Sequence, residues 1–241
     1  MKQRLSREAQ VLLSIIMVIA GLNCNEKDSP PVPEPKELVA YYTFNSNADD
    51  GSNKSNHGSL KNGAKVTSKG KIKGALDLDG QNDYVSVKDS FRLSLSFTIS
   101  CWINPDDVSG IAVIISKYQT ASFGPYKLYL DGNKVAALVS TTAGGSVVKK
   151  SNGTVSAGKW THVVWIGRGN TMEIYINGAL DVSDQYPGLT WNQDEFCIGR
   201  QAYGLSSQSG AHSEFKGLID EVRIYDSDIS ASEIGKLYNQ K

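Results

Sequence analysis

The chain predicts an all-β fold, a two-sheet antiparallel jelly-roll sandwich closed by one short C-terminal helix. Three observations carry this expectation. Apolar and polar residues alternate in Ala75–Asp79, Leu95–Ile103 and Met172–Ile176, the period of a strand with one face in a core. Turn pairs fall between such runs, at Asp79-Gly80, Asp131-Gly132, Asn152-Gly153 and Asn177-Gly178, and have the chemistry of tight hairpins. The segments delimited in this way number about a dozen, too many for an immunoglobulin sandwich and suited to a jelly roll.

The helix is read from the last dozen residues. Ser230 and Glu233 have capping-box spacing, and Ile229 with Ile234 has the spacing of a hydrophobic staple. Leu237 and Tyr238 continue the apolar stripe, so the helix is expected to pack against the sandwich.

Composition narrows the function. The 241 residues carry 25 Lys+Arg and 25 Asp+Glu, for a formal net charge of zero. That balance removes most of the electrostatic argument for nucleic acid, which needs a basic face. Hydrophobic residues make up 40%, enough to build a core. No composition break or internal repeat divides Leu38–Lys241, so residues 38–241 are expected to form one domain.

The first 37 residues read as address and tether. Met1–Arg7 is basic and Val11–Leu22 is an uninterrupted apolar run, shorter than the ~20 residues a spanning helix needs. Gly21-Leu22-Asn23-Cys24 resembles the lipobox of a bacterial lipoprotein, although Asn23 stands where that family prefers Gly or Ala. The resemblance implies removal of residues 1–23, lipid on Cys24, and export to the bacterial outer membrane or cell surface. An ordinary secretory signal with an incidental Cys24 is the alternative. Residues 24–37 hold Pro30, Pro31, Pro33 and Pro35, four of the seven prolines, among polar side chains. Such a segment is a semi-extended tether with nothing to bury. Cys101 and Cys197 are flanked by apolar residues in strand-like runs and are read as two separately buried thiols rather than a disulfide framework.

Four segments in order carry a family resemblance: Gly74–Gly80, Phe97–Pro105, Trp160–Val164 through Ile174–Gly178, and Gly217–Tyr225. Together they resemble concanavalin A-like, laminin G-like domains over Leu38–Tyr238. A fold shared this widely hosts many activities.

Two places in the chain invite chemistry. Asp50–Gly58 is an acidic, amide-rich loop, and similar domains often carry such a loop around calcium. Asp50, Asn53, Asn56 and His57 are the candidate ligands, because calcium takes six to eight oxygens from carboxylates, amides and carbonyls. Period-two reading puts Asp220 on one face with Leu218, Val222 and Ile224. A carboxylate on an apolar face is costly unless paired or metal-bound. A structural calcium shared by Asp50 and Asp220 would satisfy it; a salt bridge or backbone hydrogen bonds would do so equally.

The second place is a set of aromatic and polar residues in the long loops, where binding usually resides. Sugar binders stack a flat ring on a pyranose and surround it with amides and charges. The candidates are Tyr126, Trp191, Arg200, Gln201, Tyr203 and His212, whereas Trp160 and Trp165 resemble family core positions. The related pentraxins hold ligand through calcium bound by acidic residues after the matching strand, but Ile198–Tyr203 has no carboxylate, which favours direct contacts.

Glycoside hydrolysis needs two carboxylates about 5–9 Å apart, and no Glu-x-Asp-x-Glu strand provides them. None of the three His has metal-ligand spacing, and no Gly-x-Ser-x-Gly elbow occurs. The expectation is a non-catalytic, glycan-binding module of an exported protein with a structural calcium. Its rival is a protein-adhesion or assembly subunit at the cell surface, and a weak glycoside hydrolase ranks third.

Overall fold

The computed structural model describes residues 37–88, 92–117, 125–141, 145–186, 188–189, 195–201 and 213–241. In chain order the strands are β1 (Leu38–Tyr42), β2 (Gly58–Lys61), β3 (Lys65–Ile72), β4 (Gly74–Asp79), β5 (Tyr84–Val87), β6 (Ser96–Pro105), β7 (Ile111–Ser116) and β8 (Tyr126–Asp131). They continue with β9 (Lys134–Ser140), β10 (Ser146–Lys150), β11 (Thr161–Arg168), β12 (Thr171–Ile176), β13 (Ala179–Gln185), β14 (Phe196–Ile198) and β15 (Lys216–Tyr225). The helix, α1, spans Ala231–Tyr238.

These strands form two antiparallel sheets, the sandwich the alternation predicts. One sheet runs β13-β12-β11-β6-β15-β4-β3 with β1 also on β15, and the other runs β10-β9-β8-β7-β14-β5-β2. Inward residues from both meet in one core centred on Trp165, which is fully buried; Phe97 packs edge-on against it at 5.0 Å and Tyr126 at 6.1 Å. Burying each such ring contributes roughly 2–3 kcal/mol.

Most local signals are realised. Asn177 and Gly178 both have positive φ, 51° and 81°, as the tight turn between β12 and β13 requires. Asn152-Gly153, expected to close a hairpin, instead lies on the crossing from β10 to β11, in the opposite sheet. The carboxylate of Asp181 in β13 accepts from both backbone N–H groups there, at 2.5 and 2.7 Å. The Lys149–Asp184 ion pair joins β10 to β13 beside it.

Helix α1 is capped as predicted: the Ser230 hydroxyl accepts from the Glu233 N–H, and the Glu233 carboxylate accepts from the Ser230 N–H at 2.8 Å. Ile229 and Ile234 are buried together against Val164, Ile166 and Tyr175, so the staple fixes the helix on the outer face of the larger sheet. Cys101 and Cys197 are both buried and unpaired. Burial pushes the Cys101 thiol up to about 12, which leaves it unreactive at neutral pH.

Candidate functional site

The loop after β1 is organised around Asp50. One carboxylate oxygen accepts from the N–H groups of Tyr41 and Ser52, at 2.9 and 2.8 Å. The other accepts from the Ser52 hydroxyl and the Asn56 N–H, at 2.8 and 2.9 Å. Burial raises the pKa of this carboxyl, but the donors on Ser52, Tyr41 and Asn56 outweigh it and hold the pKa below the usual value. His57 is exposed on the same loop, its Nδ1 accepting from the Asp50 N–H at 3.2 Å. The Asn56 amide donates to the Val39 carbonyl at 2.6 Å, and Asn53 takes a left-handed conformation at φ 68°. Asp50, Asn56 and His57 thus come together, but with each other and with β1. Four donors use the lone-pair directions of Asp50, so its carboxylate fits a closed turn better than a calcium shell.

Asp220 does not lie on the face that alternation assigns to it. Ile219, Val222 and Ile224 point into the core, whereas Asp220 pairs across the sheet with Trp102 on the outer face. The cause is a bulge between Asp220 and Arg223, with Glu221 at φ 53°; one extra residue reverses the alternation. There β15 leaves β4 and takes β1 as its neighbour. Asp220 is fully buried; its two oxygens accept from Ile72 N at 2.9 Å and Glu221 N at 2.7 Å. Burial, helped by the charge of Glu221 and opposed by these N–H donors, pushes its pKa up to about 7. The Lys71 N–H also faces it, so Asp220 takes one donor fewer than Asp50 and keeps a lone-pair direction free, and the donor chemistry suits a cation here. Among the described residues no three His, Cys, Asp or Glu side chains gather into a metal-binding group.

The ligand candidates fall into three groups. Tyr126 is a correction: it is only 2% exposed and packs on Trp165, because the inward register of β8 puts it in the core. Arg200 and Gln201 lie just after β14. The Arg200 guanidinium rests 4.5 Å above the Tyr84 ring, and Gln201 is buried with its amide nitrogen unpartnered among the described residues. Trp191, Tyr203 and His212, like Cys24, lie outside the described residues.

A different group of aromatic residues forms an open cleft of about 310 Å³ beside the end of α1. Its floor is Trp102, 3% exposed and stacked on Tyr238 at 5.6 Å. Trp160, only partly buried, and Tyr238, 36% exposed, form the walls, and Asn177, Asn239 and Gln240 line the rim. Arg223 steadies the chain end here: it donates to Gln240 Oε1 at 2.8 Å while pairing with Glu221. Behind Trp102, His162 is buried; desolvation first, then Arg223 and Lys71, pull its pKa down to about 4, so it stays neutral. The sequence reading assigned Trp160 to the core. Its place before β11, rather than inside it, was the available signal that it could face outward. A second, larger cleft of about 420 Å³ includes Leu95, Gln185 and Tyr186, but Tyr186 is 3% exposed and offers no ring face.

Residues 79–235 match the family profile described as the concanavalin A-like lectin/glucanases superfamily, of laminin G type. Among solved structures, the chain is similar to domain 4 of an extracellular GH43 arabinanase from Geobacillus stearothermophilus, in complex with arabinotriose. That likeness has a TM-score of 0.68 at 21% identity, covering 85% of this chain and 99% of that domain. The binding domain of Paraclostridial Mosquitocidal Protein 1 aligns at TM-score 0.68 and 17% identity, covering 84% of this chain and 52% of that one. The botulinum neurotoxin serotype D binding domain aligns at 0.64 and 15%, covering 84% and 51%. In sequence, Adhesion G-protein coupled receptor V1 of Danio rerio is 26% identical over 157 residues, which is 62% of this chain and 2% of the receptor's length. With the sandwich, the four ordered segments and a profile match covering most of its length, the chain belongs to the concanavalin A-like lectin/glucanases superfamily as a laminin G-type domain.

Proposed function

We propose that the chain is a non-catalytic glycan-binding module and that the cleft beside α1 is its sugar site. The observation that carries this reading is the pairing of Trp160 and Tyr238, both with open ring surface, with the side-chain amides of Asn177, Asn239 and Gln240. Flat apolar rings surrounded by amides match the two chemistries of a sugar, its C–H face and its hydroxyls. Among the described residues lining the cleft none is Asp, Glu or His, so binding rather than general acid–base chemistry is what it offers. The arabinotriose complex of the similar arabinanase domain supports the same reading.

A glycan array probed with the full chain is the test. Binding to a defined glycan class is expected, and Trp160→Ala is expected to weaken it about tenfold or more, an effect of ~1.4 kcal/mol, with an unchanged melting temperature. Retained affinity in that variant would remove the cleft from consideration, and silence across the array would shift attention to a protein partner.

The module is proposed to be exported and lipid-anchored through Cys24. Palmitate labelling in a bacterial host is expected to mark the wild-type chain and to vanish in Cys24→Ser, with the protein moving to the soluble fraction. A labelled Cys24→Ser chain would refute the anchor.

A further inference from the structure

The geometry points to an acidic sugar as the ligand of this cleft: one bearing a carboxylate that Lys71 receives beside the aromatic walls. The inference rests on the cleft being the sugar site and adds the class of sugar. Lys71 is the penultimate residue of β3 and lines the cleft, with its ammonium held 4.3 Å from the centre of the Trp102 ring. A cation on an indole face is attracted by the ring quadrupole, so the charge is positioned before any ligand arrives. The side chain is exposed, and among the described residues no carboxylate pairs with it. Asp220, the acid on the neighbouring outer face, is fully buried and directed at Ile72 N and Glu221 N. Glu221 is committed to Arg223 and Tyr41.

A second donor stands with Lys71. The Asn177 side-chain oxygen, Oδ1, accepts from the backbone N–H of His162 at 3.0 Å, which fixes the amide and leaves its NH₂ group as the free end in the cleft. An ammonium and an amide N–H₂ are both donors and suit the two oxygens of a carboxylate. His162, held neutral, adds no charge of its own.

The surroundings point the same way. Lys65–Lys73 contains four lysines and no acid. Lys65 faces Asp77 at 3.6 Å, whereas Lys69 and Lys73, like Lys71, are exposed and meet no carboxylate among the described residues. This edge of a chain with zero net charge is locally positive and attracts an anionic ligand.

The experiment is calorimetric titration of the full chain with oligogalacturonate, the same oligomer methyl-esterified, dextran sulfate and neutral dextran. The oligogalacturonate is expected to bind at least tenfold tighter than its ester, and to weaken as NaCl rises from 50 to 300 mM. Lys71→Gln is expected to erase most of that preference and Lys71→Arg to keep it. Equal affinity for acid and ester overturns the inference without involving any variant, and leaves the sugar site itself standing if binding still needs Trp160. Tighter binding of dextran sulfate than of the uronate overturns the carboxylate as the recognised anion. Loss of all binding to every probe would count against both the cleft and its chemistry.

Discussion

Asp50→Asn is expected to cost the domain about 2–4 kcal/mol, seen as a lower urea midpoint with an unchanged m value. The carboxylate accepts four hydrogen bonds from Tyr41, Ser52 and Asn56. An amide offers one oxygen where there were two, so at least one N–H of a buried turn loses its acceptor while facing another donor. A buried donor left without a partner costs ~1–3 kcal/mol, and the charge assistance of the remaining bonds is lost as well. Asp50→Ala, which removes all four, is expected to cost more than Asp50→Asn. The pH dependence follows from the depressed pKa: this stabilisation is present above the unfolded-chain pKa near 4 and is lost as pH falls through the folded value. The cost should also be the same in calcium and in EDTA, since the donors are the chain's own. A change smaller than ~0.5 kcal/mol would show that Ser52 and water take over, and a calcium-dependent cost would return the loop to the metal-binding class.

Much of the sandwich was legible because alternation is local. Phe97, Ile99, Cys101 and Ile103 read as one face of a strand and are one face, each fully buried. Asn177-Gly178 and the Ser230–Glu233 box are equally local, and both form as written. What the sequence concealed required an insertion or a distant partner. Nothing around Glu221 announces a left-handed residue in mid-strand, since glycine is the usual occupant of that conformation, so period two carried Asp220 to the wrong face. Tyr126 looked available because it follows a loop, but its inward register is set by pairing with Val139 in β9. The cleft joins Lys71, Trp160 and Tyr238 across about 170 positions, a proximity no spacing rule encodes. Trp160 was legible as aromatic but not as exposed, which depends on where β11 begins.

Asp220 carries the second large effect, with the opposite sign from Asp50. Its folded pKa, about 7, stands above the unfolded value of 3.8, and burial is the first cause. Between those two values the folded state binds the extra proton, so stability falls as pH rises from about 4 to 7 and levels off above. At ~1.4 kcal/mol per unit the full span is on the order of 4 kcal/mol. The neutral, buried His162 works in the opposite direction over part of this range, because its pKa is lowered from 6.5 to about 4. Urea titrations of the full chain in EDTA at pH 5 and pH 8 are therefore compared with Asp220→Asn, and wild type should lose stability relative to that variant at pH 8. Asp220→Asn is expected to remove this contribution while costing about 1–3 kcal/mol at pH 5, because Ile72 N or Glu221 N loses its acceptor. The same pH dependence in wild type and Asp220→Asn would show that Asp220 does not contribute to it. The same experiment decides the calcium question. A divalent cation accepted by the free lone pair of Asp220 favours the ionised form, so calcium should restore stability at pH 8 and do little at pH 5. If calcium leaves the pH 8 value unchanged, the cost of this buried acid is carried by the fold alone, and the backbone N–H groups of Lys71, Ile72 and Glu221 that face it are its compensation.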